Sequence, residues 1–582
     1  MTKTEVLTWK IGGVAGAGQQ VAGLIFAKAC SRGGLFTFDS SEYPSRIRGG
    51  LVTYRLSVSN KPVTAIYQST QLLIALTQEA FDYCQPDVVS GGVILYDSDT
   101  FKPGRKGFDG IKAYPLPLKK LGDEAGIPPL AANMLAIGAT VALLKYDLAI
   151  VRQTIAEVFR DKGSEVVVMN QKAVQAGFDY ARKNLEPGKF PFTLSPVKNR
   201  PADKILVTAS DMVALGAISA GCKFLASYPM TPASPILHDL INWAEKSGMF
   251  VIQPEDEISA IHMAIGAAYA GVRSMTATSG GGFALMTEGL ALAAMTETPL
   301  VIVEGQRPGP ATGLPTWTAQ GDLAYLTKAG HGEFIRVILA PGDAAEAYEL
   351  TGQAFNLAEK YQIPVFILLD KYILEGHQSI AVPANNFKIE RGEILTGKDL
   401  AGIKEYKRYL NTKTGVSPRA IPGCRGGIHL ANSDEHDEFG YSIEGFSAKV
   451  VAEQAEKRFR KLSRLLAELP KPKLFGPKKA RLTLLGWGST KGPVLEAMKE
   501  LPQVNYLHIT APWPMSESTM KKALQGQRRI VAIENNFTGQ FAEILRGQTG
   551  IKVTDRISKY NGAQFYPDEI VAQVKRLITS KG

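Results

Sequence analysis

The sequence predicts an α/β protein made of several domains, each a mostly parallel sheet with helices on its faces. Three observations lead there. Short apolar runs (residues 223–227, 250–253, 274–278 and 300–303) alternate with longer stretches of helical periodicity. The runs are continuously apolar rather than alternating, as strands buried on both faces are. Each ends in a loop of proline, glycine or charged residues, and ligands of open α/β sheets bind beyond the carboxyl ends of the strands. At 582 residues the chain exceeds a single core; roughly three or four domains are expected.

In chain order, residues 7–13 read as a strand leading into Gly13-Val14-Ala15-Gly16-Ala17-Gly18. Residues 19–31 read as a helix closed by Gly33-Gly34, and 35–38 as the next strand. A glycine turn between strand and helix lets backbone amides approach a phosphate or carboxylate, and serves close packing equally well. Its spacing is not the dinucleotide fingerprint. Glu42-Tyr43-Pro44-Ser45-Arg46-Ile47-Arg48-Gly49-Gly50 then precedes the alternating strand 51–58. Arg46 and Arg48 beside a glycine pair form a cationic loop able to grip an anion; a surface loop or subunit contact reads equally well. Pro191, Pro196 and Pro201 mark 189–201 as a linker.

The strand 223–227 opens into Tyr228-Pro229-Met230-Thr231-Pro232, whose prolines cannot continue a ladder. Ser234-Pro235 has the N-cap plus N1-proline pattern, and 236–246 reads as a helix stopped by Gly248. The strand 250–253 delivers Glu255-Asp256-Glu257 to the start of a helix rich in small residues. The strand 274–278 runs into a glycine loop, Ser279-Gly280-Gly281-Gly282, and 300–303 ends near Arg307. A hydroxyl, a carboxylate, a glycine loop and a guanidinium thus arrive at one sheet edge, and this is the expected site. Glu255 and Glu257 stand two apart, about 200° around a helix, so both cannot face one ligand.

Further strands are expected at 334–339 and 364–369. Periodicity then weakens, and 423–427 and 432–437 read as loops. His436 among acids resembles a metal-ligand set, although a polar loop is the simpler account. A charged helix, 448–469, stops at Pro470. The run 481–486 begins a last α/β domain with strands near 504–509 and 529–534. Met134-Leu135-Ala136-Ile137-Gly138-Ala139 and its echo Met212-Val213-Ala214-Leu215-Gly216-Ala217 read as two packing helices rather than a repeat. The expected domains are 1–190, 202–380 and 476–582, with 381–475 connecting the last two.

Cys30, Cys84, Cys222 and Cys424 lie far apart without a CxxC pair, so each reads as a buried thiol and the chain is expected to hold no iron–sulfur or zinc site of its own. The apolar run 131–144 falls short of a membrane span and no leader-like pattern opens the chain, which points to a cytoplasmic protein. The net charge of +11 suits anionic partners such as coenzyme A or an acidic electron carrier. Lysines that merely solvate the surface explain it too. No nucleic-acid-binding motif is present.

Taken together, Gly13-x-Ala15-Gly16-x-Gly18, Glu42-Tyr43-x-Ser45-x-Ile47-Arg48-Gly49-Gly50, Tyr228-Pro229-Met230-Thr231-Pro232 and Thr276-Ala277-Thr278-Ser279-Gly280 resemble one family. So do Gly305-Gln306-Arg307, Thr312-Gly313-Leu314-Pro315-Thr316, Glu435-His436-Asp437-Glu438-x-Gly440, Gly486-Trp487-Gly488-Ser489-Thr490 and Glu534-Asn535-Asn536-x-Thr538-Gly539-Gln540. The chain resembles, over nearly its whole length, the α subunit of 2-oxoacid:ferredoxin oxidoreductases in which a γ domain is fused ahead of α. Its motifs are most like the 2-oxoglutarate-type enzymes, with Met230 where isoleucine is usual.

The resemblance implies a γ-type domain, a pyrimidine-binding domain for thiamine diphosphate and a transketolase-C-like domain. It implies coenzyme A-dependent oxidative decarboxylation of a 2-oxoacid, giving acyl-CoA (succinyl-CoA from 2-oxoglutarate), carbon dioxide and reduced ferredoxin. A pyruvate or broad-specificity enzyme and a non-catalytic scaffold are the alternatives. No Gly-Asp-Gly occurs in the sequence, so a separate β subunit is expected to bring the diphosphate and Mg²⁺ motif and the [4Fe-4S] cluster, with a dimer of αβ units as the expected assembly. By resemblance Glu257, nine residues before Gly266, is the carboxylate for the pyrimidine ring nitrogen. Arg307 and Thr231 take the substrate carboxylate or keto oxygen, and Tyr228, Pro229, Ser279 and Gly280 line the cofactor pocket. For a dicarboxylate substrate, Arg46 or Arg48 is the expected partner of the distal carboxylate.

Overall fold

Continuous apolar runs and small-residue helices assemble into two units in the computed structural model, which describes residues 6–45, 49–104, 110–185, 190–197, 204–384, 387–443 and 447–579. Arg46 and Arg48 lie outside the described residues. One unit comprises Met1–Val207, Gly376–Val382 and Phe565–Gly582; the other comprises Thr208–Glu375 and Pro383–Gln564.

The first unit is built on an eight-stranded mixed sheet in the order Lys112–Pro115, Val88–Tyr96, Thr70–Ala75, Leu7–Val14, Leu51–Ser59, Phe36–Glu42, Gln378–Ala381, Lys204–Val207. The first four strands run parallel and the remaining neighbours pair antiparallel. The segment 202–380 therefore contributes its first and last strands to this sheet. Non-local antiparallel pairing of this kind leaves no local sequence signal.

The helix Ala132–Leu143 is buried along nearly its whole length and packs on Ser164–Asn184. A Cβ at Gly138 would stand 2.0 Å from the Val174 carbonyl oxygen, and one at Gly177 would stand 1.9 Å from that of Leu135. Only glycine permits this backbone approach, which explains the small-residue motif. Among the described residues no single helix is long and apolar enough to cross a membrane.

The second unit holds a six-stranded, wholly parallel sheet in the order Val337–Leu339, Pro364–Asp370, Leu300–Gln306, Ser274–Ser279, Phe224–Ala226, Phe250–Ile252. The chain leaves Phe224–Ala226 toward one edge and Ser274–Ser279 toward the other. The topological switch point therefore lies between these two neighbouring strands. A five-stranded sheet follows in the order Lys473–Phe475, Val504–Ile509, Leu482–Trp487, Ile530–Glu534, Asp555–Ser558, parallel except for its first strand.

Some expected elements differ. The expected helix 448–469 is two helices, Ala448–Arg460 and Leu462–Glu468, joined at Lys461. That ammonium is buried on Glu297 Oε2 (3.0 Å) and the Tyr361 carbonyl (2.8 Å). Tertiary anchoring outweighs local propensity at the joint. Three cysteines are buried as expected, but Cys424 is only half-buried. The two ring nitrogens of His436 face the Asp437 and Met295 carbonyls (3.0 and 3.3 Å), to which a ring N–H can donate, and its ring centroid lies 3.8 Å from that of Tyr409; it is a packed loop residue.

Candidate active site

The switch point brings together the loop after Phe224–Ala226 and the end of Ser274–Ser279. Ser227 Oγ donates to the Ala277 carbonyl (2.7 Å), tying the two strand ends. Tyr228, Pro229, Met230 and Thr231 are half-buried in the loop. The next helix begins at Ser234, two residues before the expected 236. The turn closed by Ala233 N–H on the Met230 carbonyl (2.9 Å) already leads into it, and Ala233 takes the cap position.

Glu257 is the first residue of helix Glu257–Tyr269, which Asp256 caps through Ser259 N–H (2.8 Å). The residue is 3% exposed, and its Oε1 has no hydrogen-bond partner among the described residues. Burial raises the group above the usual carboxylate range. Glu255 lies exposed and accepts from Ser259 Oγ (2.6 Å). The two acids thus point apart, as their spacing requires.

Gly280, Gly281 and Gly282, expected as a loop, instead open the short helix Gly280–Leu285. Close approach, not chain freedom, is what they provide here. A Cβ at Gly282 would stand 2.3 Å from Glu257 Oε1 and 2.2 Å from Thr278 Oγ1, and one at Gly280 would stand 2.8 Å from Asp322 Oδ2. Ser279 Oγ and Thr276 Oγ1 are buried without partners.

Arg307, just past the strand Leu300–Gln306, donates from Nη1 to the Thr231 carbonyl (2.7 Å). The Thr231 backbone thereby helps to hold the guanidinium over the loop.

Three residues to which sequence reasoning gave no role also stand here. Glu304 is wholly buried on the strand, Gln306 accepts from Asp322 N–H (3.1 Å), and Asp322 faces Glu304. An acid inside the apolar run after Leu300 was the available signal for Glu304. For Asp322 no local pattern was available, because a loop places it.

That loop is pinned by Gln320. Its backbone N–H donates to the Asn535 carbonyl (2.7 Å) and its Nε2 to the Trp487 carbonyl (2.9 Å). It accepts from Asn535 N–H at Oε1 (2.9 Å) and from Asn536 Nδ2 at its carbonyl (3.0 Å). The Gly486–Thr490 and Glu534–Gln540 motifs therefore hold the loop that carries Asp322.

Comparison with known proteins bears on this geometry. The family profile described as "Pyruvate flavodoxin/ferredoxin oxidoreductase, thiamine diP-bdg" matches residues 215–456, and "Pyruvate ferredoxin/flavodoxin oxidoreductase" matches 8–180. The 2-oxoacid:ferredoxin oxidoreductase subunit alpha of Saccharolobus solfataricus is 32% identical over 98% of this chain and 98% of its own. The chain belongs to this family of oxidoreductases, as an α subunit.

A second relative of this α subunit is the 2-oxoglutarate synthase subunit KorA of Methanothermobacter thermautotrophicus, 31% identical over 64% of this chain and 99% of its own. The solved 2-oxoglutarate:ferredoxin oxidoreductase from Magnetococcus marinus, with 2-oxoglutarate, coenzyme A and succinyl-CoA bound, has a TM-score of 0.92. It is 32% identical and covers 99% of this chain and 100% of that one. The residues of the α subunit fit a thiamine pyrimidine: a buried carboxyl with an unpartnered oxygen, two unpartnered hydroxyls, and a glycine cradle beside them.

Proposed function

We propose that this α subunit serves a 2-oxoglutarate:ferredoxin oxidoreductase. The enzyme would convert 2-oxoglutarate and coenzyme A to succinyl-CoA and carbon dioxide while reducing ferredoxin. The observation that carries the reading is the full-length likeness to the Magnetococcus marinus enzyme, whose structure holds 2-oxoglutarate. The KorA relative supports the same substrate. Pyruvate or a broader 2-oxoacid range is the second reading, favoured by the unspecified 2-oxoacid in the name of the full-length relative.

Thiamine diphosphate supplies the electron-sink chemistry when bound. In this reading Glu257 holds a proton at the pyrimidine ring nitrogen. Its burial favours the protonated form, and its unpartnered Oε1 has no competing protein hydrogen bond among the described residues. Ser279, Gly280, Tyr228 and Pro229 line the same pocket. Arg307, fixed on the Thr231 carbonyl, presents a guanidinium to the substrate carboxylate, and the Thr231 hydroxyl meets the keto oxygen.

A β subunit is proposed to bring the diphosphate, Mg²⁺ and [4Fe-4S] sites, with ferredoxin as acceptor and a dimer of αβ units as the assembly. The proposed division of labour is γ-type 1–190, pyrimidine-binding 202–380 and transketolase-C-like 476–582, connected by 381–475.

The test is reduction of ferredoxin by this chain, alone and with its β subunit, with 2-oxoglutarate and pyruvate supplied separately. Glu257→Gln in the assembled enzyme is expected to lower kcat by about 10²–10⁴-fold with KM for the 2-oxoacid little changed. Undiminished kcat in that variant would remove Glu257 from the chemistry.

A further inference from the structure

Glu304 stands on the strand Leu300–Gln306 with its side chain wholly buried, in register with Thr278 on one neighbour and Leu368 on the other. Among the described residues no N–H or hydroxyl reaches either of its carboxyl oxygens. The polar group it meets is the carboxyl of Asp322. The Gln320 loop lays that carboxyl on the Gly280 backbone, where a Cβ would collide with it. Two carboxylates are both acceptors, so this contact is a hydrogen bond only when one of them carries a proton. The other titratable or charged groups that face the pair are Arg307, Tyr325 and Asp370. Arg307 is the one cation among these groups.

We propose that Glu304 and Asp322 share one proton, and that the pair is the counter-charge that positions Arg307 for the carboxylate of the 2-oxoacid. The second half rests on the substrate reading above. With one proton the pair carries a single negative charge, which balances Arg307. Without it, two negative charges stand beside the guanidinium, draw it onto the protein and repel an arriving carboxylate. Burial and the facing carboxyl push Glu304 well above the usual range, and burial raises Asp322 as well, while Arg307 pulls both down. Glu304, the more deeply enclosed, keeps the proton. It touches no reacting atom and acts through Arg307, so it is a positioning residue.

Two readouts test this. In infrared spectra of the full-length chain in D₂O, the wild type minus E304Q difference should show the carbonyl band of a protonated carboxylic acid at neutral pH. The band should fade in the wild type as the pair loses its proton at high pH. In the αβ complex, KM for 2-oxoglutarate should rise about tenfold on the alkaline side in the wild type and stay flat in E304Q, whose amide cannot ionise. KM for coenzyme A should not follow. A merely structural Glu304 would not move that profile.

If E304Q does not fold, D322N replaces it: its amide donates to an ionised Glu304, so the acid band must vanish there too. No acid band in the wild type minus variant difference, or the same pH profile in both proteins, overturns the proposal. Absence of turnover with every 2-oxoacid tried sinks the substrate reading and the Arg307 half with it, while the band still decides the shared proton.

Discussion

Glu257 and Gly282 show how tightly single atoms define this site. The helix start places the Glu257 carboxyl under the glycine helix, and Gly282 leaves it only the space that a hydrogen occupies. Gly282→Ala is expected to displace Glu257 and Thr278 and to weaken thiamine diphosphate binding by about tenfold or more. Titration of the assembled complex with the cofactor measures this, and unchanged affinity would show that the cradle is not part of the pocket. The resemblance singled out Glu257 by its spacing to Gly266; its burial was not legible in the sequence. For the distal carboxylate, Arg46→Ala and Arg48→Ala are expected to raise KM for 2-oxoglutarate more than for pyruvate. Equal effects on both substrates would remove those arginines from substrate recognition.

At the scale of elements, the connecting segment is held by buried charge. Glu297 accepts from Lys457 Nζ (2.6 Å) and Lys461 Nζ (3.0 Å), and Arg408 donates to the Thr296 and Glu297 carbonyls (3.2 and 2.9 Å). A second knot joins Arg391 and Arg419 to Glu359 (3.3 and 3.2 Å). These contacts lie where the chain enters the strands, opposite the ligand edge, so the segment braces the sheet without obstructing the site. Glu297→Gln leaves two buried ammonium groups short of a counter-charge, and about 3–5 kcal/mol of stability should be lost. Urea unfolding of the full-length chain checks this; a loss under about 1 kcal/mol would show the knot to be dispensable. The sequence read this region as weakly periodic for a physical reason. Its order comes from ion pairs between residues more than a hundred positions apart, such as Glu297 and Lys457.

Across the second unit as a whole, the five-stranded sheet is coupled to the six-stranded one through buried polar groups rather than apolar contact alone. Besides Gln320, Asp370 at the end of Pro364–Asp370 accepts from Thr318 Oγ1 (3.0 Å) and Tyr372 N–H (3.1 Å) and bonds Ser489. Burial pushes Asp370 up to about 6 from 3.8. The folded state therefore binds this proton more tightly than the unfolded chain does. The resulting stability is fully present below 3.8 and is lost as pH rises through about 6. Asp370→Asn removes the titration. Between pH 4 and 7 the wild type should lose roughly 2 kcal/mol relative to the variant, read as diverging urea midpoints. Parallel midpoints would mean that Asp370 titrates at an ordinary value.

By itself the sequence determined the α/β class, the strand–loop–helix order around Tyr228–Arg307 and the arrival of Thr231, Glu257, Ser279 and Arg307 at that edge. Buried parallel strands and their helices write those features into local composition. Tertiary structure alone decided that Gly280–Gly282 form a helix packed on carboxyl groups, that Gln378–Ala381 returns to the first sheet, and that Glu304 meets Asp322. Each of these depends on chain segments far apart in sequence being pressed to within a hydrogen-bond length, and no local pattern encodes such a meeting.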